Sequence, residues 1–446
     1  MGSATRERTG RSAHRPPSSS RWQRSNEPAG PVPVPPVDPP AAATPRPASR
    51  TGRPGPVLRR LVLVEAALAF TAVGAVLGGF WLVPAGVIAC LLVLVAVVRR
   101  RGRAVPEWVS MTLALRGRGR AAGTPAADTD PQLAPVAEGV PGLAPCPHVD
   151  RNRRTVGMVG DGTFLTAVVR VEAGGESLRR AHGERAFPLA LLGDALAVDD
   201  IVLESAQLVQ QVRPAPAPHL PERSAARLSY VPLQERTGAP ALRMTWVAVK
   251  LDPELCREAV EARGGGIGGA QRCLVRVADH VASRITGAGF RAVVLDQEEL
   301  HSALATSLCA NPVLSARAGQ QGAAPQRRTA ETSRVWRCDD RWHTAYAVDR
   351  WPELGRAATP LPRLVSLLTQ VPAHATAFSL TVRPGARRGD VSVSGHVRVT
   401  GGSDNELVGV RRVLEQTARH AKVGLVRLDR EQLPGVLATL PLGGAR

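Results

Sequence analysis

The sequence predicts a mixed α+β domain attached to an N-terminal pair of membrane helices, and three observations lead to this fold class. Residues 61–98 form an apolar run that contains a single charge, Glu65. From about residue 155 onward, strand-like alternation and amphipathic helical spacing follow one another along the chain. The segments that begin at Leu295 and Leu428 resemble each other, which indicates two repeat-like β-α-β-α units.

Composition limits the classes of protein to consider. The chain has 446 residues and a formal net charge of +19, and residues 1–120 contain 18 Arg against five acidic residues. Because most of the positive charge flanks the apolar run, we expect anionic lipid as its partner and no nucleic acid. Aromatic residues make up only 3% of the chain, too few to provide stacking platforms for single strands. The six cysteines contain no C-x-x-C pair, so neither a disulfide framework nor a zinc site is predicted.

The N-terminal residues 1–56 are rich in Ser, Arg and Pro. This composition cannot bury a core, and we expect a disordered tail with extended polyproline character.

The apolar run is too long for one straight membrane span. Its 38 residues would form a helix of roughly 57 Å, about twice the thickness of a bilayer hydrocarbon core. Gly78, Gly79 and Pro84 supply a natural break. We therefore predict a transmembrane hairpin within residues 57–101, with helices over about 61–78 and 82–98.

Charge predicts the orientation of this hairpin. Arg59 and Arg60 precede the first helix, and the Arg99–Arg101 run follows the second. Because Lys and Arg concentrate on the cytoplasmic side, both the N-terminus and the large C-terminal part are expected in the cytoplasm, below a two-span anchor in the inner membrane. Glu65 is an intramembrane acid, and we expect its carboxylate to reach the nearby cytoplasmic interface.

Residues 102–150 read as a basic juxtamembrane segment followed by an Ala- and Pro-rich linker. Apolar residues of the first part are expected to rest on the lipid surface, namely Trp108, Met111, Leu113 and Leu115. The linker contains Asp128-Thr-Asp130, a D-x-D pattern that some glycosyltransferases use to bind a metal. No strand surrounds it, so we attribute the pattern to chance.

Residues 151–446 are predicted to form the cytosolic α+β domain, and its first half contains seven elements. They are a hairpin over 155–172 with its turn at 160–162, a helix over 188–201, strands over 202–214 and 242–252, a helix from Ala270 to Gly287 or Gly289, a strand over 291–296, and a helix over 297–308. Asp296 and Glu299 have the spacing of a capping box for the last of these helices.

The second half of the domain repeats part of this order. After a Trp-rich strand pair over 333–354 and a helix over 361–371 come a strand over 389–401, a helix capped by Ser403, a strand over 423–429 and a short helix. The motif LDQEELHSALAT at Leu295 matches LDREQLPGVLAT at Leu428 in seven positions. Two similar β-α-β-α units follow from this match, with chance similarity of two capped helices as the alternative.

Three clusters could in principle carry chemistry. Gly264, Gly266 and Gly269 form a G-x-G-x-x-G pattern before a helix, where a dinucleotide phosphate can bind. The preceding strand ends near residue 251, so a simple flexible loop is the favoured interpretation. Cys338-Asp-Asp-Arg-Trp-His343 offers a thiol, two carboxylates and an imidazole, but a hairpin with a polar turn is the favoured interpretation, and Asp199-Asp200 suits a structural role at a helix end or turn. We therefore predict no catalytic, cofactor-binding or metal-binding residue.

Several longer segments resemble one family. MVGDGTFLTAVVRVE, ALRMTWVAVKLDPELC, GGGIGGAQRCLVRVADHVASRITGAGFRAVVLD and WRCDDRWHTAYAVDRWP, together with the hairpin, resemble the actinobacterial EccE family of type VII (ESX) secretion systems over about residues 57–446. The resemblance implies a non-enzymatic subunit of the inner-membrane translocon, without a cofactor. Its partners would be EccB-, EccC- and EccD-like proteins, of which the EccC type is an FtsK-like ATPase, and small WXG-type proteins would be the exported clients.

Within such a complex, we expect Gly74, Gly78 and Gly79 to allow close approach of neighbouring membrane helices. Two other functions stay open from the residues alone. One is a membrane-anchored transferase that uses the glycine loop and the acidic pairs, and the other is a regulatory domain that senses a ligand at residues 264–269.

Overall fold

The computed structural model describes residues 56–97, 99–100, 103–123, 129–151, 153–173, 186–214, 221, 223–237, 242–320, 326–352, 360–387 and 389–444. The predicted disordered tail therefore lies almost entirely outside the described residues. The helices are α1 (Pro56–Leu77), α2 (Leu82–Val97), α3 (Val105–Ala121), α4 (Ala134–Ala137), α5 (Ala190–Asp194), α6 (Ala225–Thr237), α7 (Arg257–Ala262), α8 (Gly266–Gly287), α9 (Gln297–Leu308), α10 (Pro312–Ala318), α11 (Leu361–Thr369), α12 (Asp404–His420) and α13 (Gln432–Leu437).

The strands are mostly short, apart from six of nine to eleven residues. They are β1 (Arg99–Arg100), β2 (Arg103–Ala104), β3 (Ala144–Pro145), β4 (His148–Val149), β5 (Thr155–Val156), β6 (Met158–Gly160), β7 (Leu165–Ala173), β8 (Ala197–Val198), β9 (Ile201–Val202), β10 (Ser205–Arg213), β11 (Leu242–Leu251), β12 (Phe290–Val294), β13 (Thr329–Glu331), β14 (Trp336–Cys338), β15 (Arg341–Arg350), β16 (Ala375–Pro384), β17 (Val391–Gly401) and β18 (Gly424–Arg427).

Helices α1 and α2 pack against each other as a hairpin. A 3₁₀ turn, Gly79–Trp81, joins them at the position where the sequence predicted the break. Gly78 and Gly79 have φ of 62° and 56°, a left-handed conformation that glycine adopts without steric cost. Within the part of the chain that the structure describes, no helix combines the length and the apolar character that a membrane crossing requires.

A twelve-stranded sheet organises the rest of the chain, and every strand pairing in it is antiparallel. Its main path runs β13-β14-β15-β17-β16-β10-β11-β7-β6-β3, with β12 beside β7 and β18 beside β15. The mixed α+β class predicted for this domain is therefore confirmed.

The sheet consists of two units with the same order of elements. Each contains a hairpin (β6–β7 or β14–β15), a second hairpin pair (β10–β11 or β16–β17), a long helix (α8 or α12), a strand (β12 or β18) and a short helix (α9 or α13). In both units the long strand of the first hairpin pairs with three others, namely β6, β11 and β12 around β7, and β14, β17 and β18 around β15. The two repeat-like segments at Leu295 and Leu428 thus occupy equivalent places in one continuous sheet.

The two units meet through the antiparallel pairing of β10 with β16. Val209 lies opposite Ser379 at the middle of this ladder. Antiparallel pairing of two equivalent strands is what a local twofold axis between the units would produce. The result is a single sheet with no break between the halves.

Helices cover both faces of the sheet. The first face packs against α5, α8, α11 and α12, and α8 buries Leu274, Val277, Val281 and Ile285 at the spacing predicted for it. The second face packs against α4, α9 and α13. Helix α9 begins with the predicted capping box, in which Asp296 accepts from the Glu299 N–H at 2.8 Å and Glu299 accepts from the Asp296 N–H at 3.2 Å.

The C-terminal segment 438–444 crosses the second face and is held by side chains of the sheet. Gln207 donates to the Ala438 carbonyl and accepts from the Gly443 N–H, both at 2.8 Å. Ser205 donates to the Gly443 carbonyl at 2.6 Å, and Ser379 donates to the Ala438 carbonyl at 2.6 Å. Because these side chains are fully buried, the segment is part of the folded core.

Two stretches differ from their predicted structure. The predicted helix over 188–201 is wrong beyond its first turns, since α5 ends at Asp194 and the β8–β9 hairpin follows, with a left-handed residue at Asp199. Part of the predicted linker is buried, with Leu133, Val136 and Leu143 at 6% exposure or less in the second core.

Candidate functional site

The glycine loop at residues 264–269, for which ligand binding was an alternative interpretation, connects two helices, α7 and α8, whereas a dinucleotide site would use a strand-to-helix turn. Gly264, Gly265 and Gly266 all have positive φ, from 58° to 94°. The Arg272 guanidinium lies over the loop, because its Nη2 would be 2.7 Å from a Cβ at Gly264 and its Nε donates to the Arg263 carbonyl at 2.7 Å. The Arg272 side chain therefore occupies the space beside the loop that a ligand would need.

Gly269 has a packing role that the sequence did not indicate. A Cβ at this position would lie 2.4 Å from the Val260 carbonyl oxygen. The glycine thus allows close contact between α7 and α8. Packing at Gly269 and positive φ at Gly264 and Gly266 account for the G-x-G-x-x-G pattern, and ligand binding at this loop stays an alternative hypothesis.

The acidic pair Asp199-Asp200 binds arginines of the same region. Asp200 forms two contacts of 2.7 Å with the Arg263 guanidinium, which lowers the pKa of this carboxyl below its ordinary value. Asp199 accepts from Arg276 at 3.0 and 3.1 Å. Asp199 thus ties the β8–β9 hairpin to α8, and Asp200 ties it to the end of α7, so both carboxylates have structural contacts.

The Cys338–His343 segment forms the turn of the β14–β15 hairpin, with both end residues buried. Burial and the neighbouring Asp339 raise the pKa of the Cys338 thiol well above its ordinary value. Burial, together with Arg398, lowers the pKa of His343 well below its ordinary value. A nucleophilic cysteine requires the opposite environment, one that stabilises a thiolate beside an imidazolium.

The carboxylate of Asp339 is bound within this turn. It accepts from the Arg328 guanidinium at 2.6 and 2.8 Å and from the Asn311 N–H at 2.8 Å. His343 Nδ1 lies 3.0 Å from the Thr400 hydroxyl. The segment therefore fastens the hairpin to α10 and to β17, and no group of three potential metal-ligand side chains occurs among the described residues.

Asp130 of the D-x-D pattern connects the predicted linker to α9. Its carboxylate lies 3.0 Å from His301 Nδ1 and accepts from the Gln132 N–H at 2.7 Å. Asp128 lies outside the described residues. The one described member of the pattern is thus engaged in a structural contact.

Of the hairpin residues singled out from the sequence, Gly74 is buried and Glu65 is exposed. Gly74 lies two helical turns after the buried Ala67, on the stripe of α1 that packs against α2. A Cβ at Gly78 or at Gly79 would have no neighbour within 4 Å, so backbone conformation alone requires glycine there within this chain.

The contact between α3 and the domain was missed by the sequence analysis. Arg118 donates from Nε and Nη2 to the two carboxylate oxygens of Glu331, at 2.9 and 3.0 Å, and also to the Arg430 carbonyl. The Arg430 guanidinium lies 4.4 Å from the Trp108 ring centre. Trp108 and Leu115 thus face the domain, and the prediction that they rest on lipid is wrong for these two residues.

This contact, the α3 clamp, links the α1–α2 hairpin to the sheet. Leu115 and Arg118 line a small cavity together with Glu331, Trp336 and Leu433. The Glu331 carboxylate is 7% exposed and also accepts from the Leu433 N–H at 3.0 Å. Because the buried Glu331 carboxylate accepts two hydrogen bonds from Arg118, α3 has a defined position on the domain.

Comparison with known proteins adds one match. The family model described as "Putative type VII ESX secretion system translocon, EccE" matches residues 239–348. This region contains β11, α8, β12, α9 and most of the β14–β15 hairpin, so it covers the end of the first unit and the beginning of the second along the chain. No curated protein matches the chain. The match supports an EccE-family assignment and confirms the resemblance found in the sequence over this region.

Proposed function

We propose that this EccE-family chain is a non-enzymatic scaffold subunit of a type VII (ESX) secretion translocon in the inner membrane. The family match over 239–348 is the observation that carries this proposal. In this proposal the α1–α2 hairpin spans the membrane twice, with both chain ends in the cytoplasm. The sheet domain braces an FtsK-like, EccC-type ATPase while WXG-type proteins are exported, and EccB- and EccD-like subunits complete the complex.

The geometry supports a bracing role. A continuous sheet of twelve strands covered on both faces resists bending, and the α3 clamp connects it to the hairpin. The polar groups that could have carried chemistry instead form structural contacts: Asp200 with Arg263, Asp339 with Arg328, and Asp130 with His301.

The proposed membrane contacts follow from charge and small residues. The arginines that flank the hairpin bind anionic headgroups on the cytoplasmic leaflet. Gly78 and Gly79, which have open space beside them within this chain, allow neighbouring translocon helices to approach closely, and Gly74 allows close contact between α1 and α2. Replacing Gly74 with Leu should separate the helices and lower the yield of assembled complex, whereas Gly86→Leu, at an exposed position of α2, should have little effect. An unchanged yield of assembled complex for Gly74→Leu would contradict the proposed helix contact.

Deleting the gene tests the scaffold role directly. A scaffold is required for assembly, so both the complex of the remaining subunits and export of WXG-type proteins should be lost together, as seen on native gels and by immunoblotting of culture supernatants. Loss of export with an intact complex would instead indicate an enzymatic or regulatory subunit.

A further inference from the structure

Helix α3 has a second face that the domain does not cover. Trp108, Leu115 and Arg118 lie on one side of the helix and contact the domain. These positions are separated by seven and three residues, so they share one stripe of a 3.6-residue helix.

The other stripe contains Val109, Leu113, Arg116 and Arg120, at spacings of four, three and four residues. All four side chains are exposed, with Val109 at 43% and Leu113 at 59%. A helix that is apolar on two sides, with one of them buried on its own domain, has a surface left for a second partner. The two apolar residues come first and the two arginines follow toward the C-terminal end.

We propose that the outer stripe of α3 binds the anionic surface of the lipid bilayer, with Val109 and Leu113 at the level of the acyl boundary and Arg116 and Arg120 on lipid phosphates. The inference rests on the membrane location proposed above. Two observations favour lipid as the occupant. The stripe is positively charged and apolar, which complements an anionic interface. It is also continuous with the hairpin, since only the short β1–β2 turn separates α2 from α3.

With this contact, α3 lies between two surfaces. The Arg118 side holds the domain and the Arg116 side holds the bilayer, so the sheet is fixed at one orientation to the membrane plane. This explains why Arg118 is paired with a buried carboxylate while its neighbours two residues away on either side point outward.

Depth-dependent quenching in nanodiscs tests the proposal on the full chain. A fluorescent label is attached to Leu113→Cys in a Cys90→Ser, Cys146→Ala background, which leaves only the four buried cysteines. Val87→Cys on α2 and Leu255→Cys on the domain serve as the membrane and solvent references. The nanodiscs contain spin-labelled lipid in either phosphatidylcholine alone or phosphatidylcholine with phosphatidylglycerol.

The proposal predicts that, in anionic nanodiscs, quenching at residue 113 exceeds that at residue 255 by about twofold or more. Quenching at residue 113 should fall toward the value at residue 255 in neutral nanodiscs and in Arg116→Gln/Arg120→Gln, but not in the control Arg257→Gln.

Three results would overturn the inference. Quenching at residue 87 with none at residue 113 would support the membrane anchor and contradict the contact of α3 with lipid. Quenching at neither position would contradict both the membrane anchor and the contact of α3 with lipid. Equal quenching at 113 in neutral and anionic nanodiscs, unaffected by the arginine substitutions, would remove the recognition of anionic headgroups.

Discussion

Replacing Arg118 with Leu should release α3 from the domain while leaving the domain folded. The substitution removes two contacts to Glu331, whose carboxylate is 7% exposed and would keep only the Leu433 N–H. Breaking one side of a buried ion pair costs about 3–5 kcal/mol. Because Arg118 itself is 25% exposed, we expect a smaller loss, about 2–3 kcal/mol of docking free energy. This corresponds to a ~30–150-fold increase in the open population of α3.

Hydrogen exchange of the full chain measures this population. Amides in the C-terminal half of α3 should lose protection by ~30–150-fold in Arg118→Leu, while amides of β10 and β16 keep theirs. In detergent without anionic lipid, Arg116→Leu is the matched control, since Arg116 lies two residues away and is exposed, and it should change protection by about twofold or less. Equal protection of α3 in the two variants would refute the assignment of Arg118 as the anchoring residue.

Three further predictions concern the stability of the domain. Gln207→Leu leaves the buried Gly443 N–H without its acceptor, so unfolding should require about 2–4 kcal/mol less free energy in chemical denaturation. Gly269→Ala places a methyl group 2.4 Å from the Val260 carbonyl oxygen and should lower the melting temperature through a cost of about 1–3 kcal/mol. Burial lowers the pKa of His396 to about 4, so the unfolded chain binds more protons between pH 4 and 6.5. Stability should therefore fall as the pH drops through this window, by about 2 kcal/mol at pH 5 from this group.

Each of these three predictions has its own control variant, placed on the same strand, on the same helix or at the same histidine. Gln210→Leu removes a half-buried amide from the same strand and should have a small effect. Gly287→Ala adds a methyl group with no neighbour within 4 Å and should be neutral or stabilising. His396→Leu should flatten the acid side of the stability profile. Equal losses in a variant and its control, or an unaltered pH profile, would contradict the corresponding prediction.

Elements with a strong local pattern were predictable from the sequence. Helix α8 was visible from apolar residues at helical spacing, and α9 from the capping-box pair Asp296 and Glu299. Both signals lie within one helix and need no information from the rest of the chain. The helix predicted over 188–201 failed because a hairpin turn at Asp199, a left-handed residue, replaces its second half.

The polar residues of the sheet show a second limit. Alternation along β17 predicts one apolar and one solvent-facing side, yet Arg398 is 1% exposed because α9 covers the second face. Its Nη2 donates to the Ser307 carbonyl near the end of α9, and burial lowers the pKa of its guanidinium to about 10. Only the arrangement of both helix layers reveals that such a position is interior.

The α3 clamp could not be derived from the sequence for a similar reason. Arg118 and Glu331 are 213 positions apart, and a pair at that separation leaves no local periodicity or spacing. The same holds for the choice between the two faces of α3. Both stripes of α3 contain apolar residues, so the sequence alone does not distinguish them. Only the docked domain shows which stripe is left for the membrane.

The most direct test of the proposed function is isolation of the tagged chain from its native membranes in mild detergent, with sizing on a native gel and identification of its partners by mass spectrometry. The scaffold proposal predicts a large species that contains an FtsK-like ATPase and a many-spanning membrane protein. A small species without these partners would contradict the proposal.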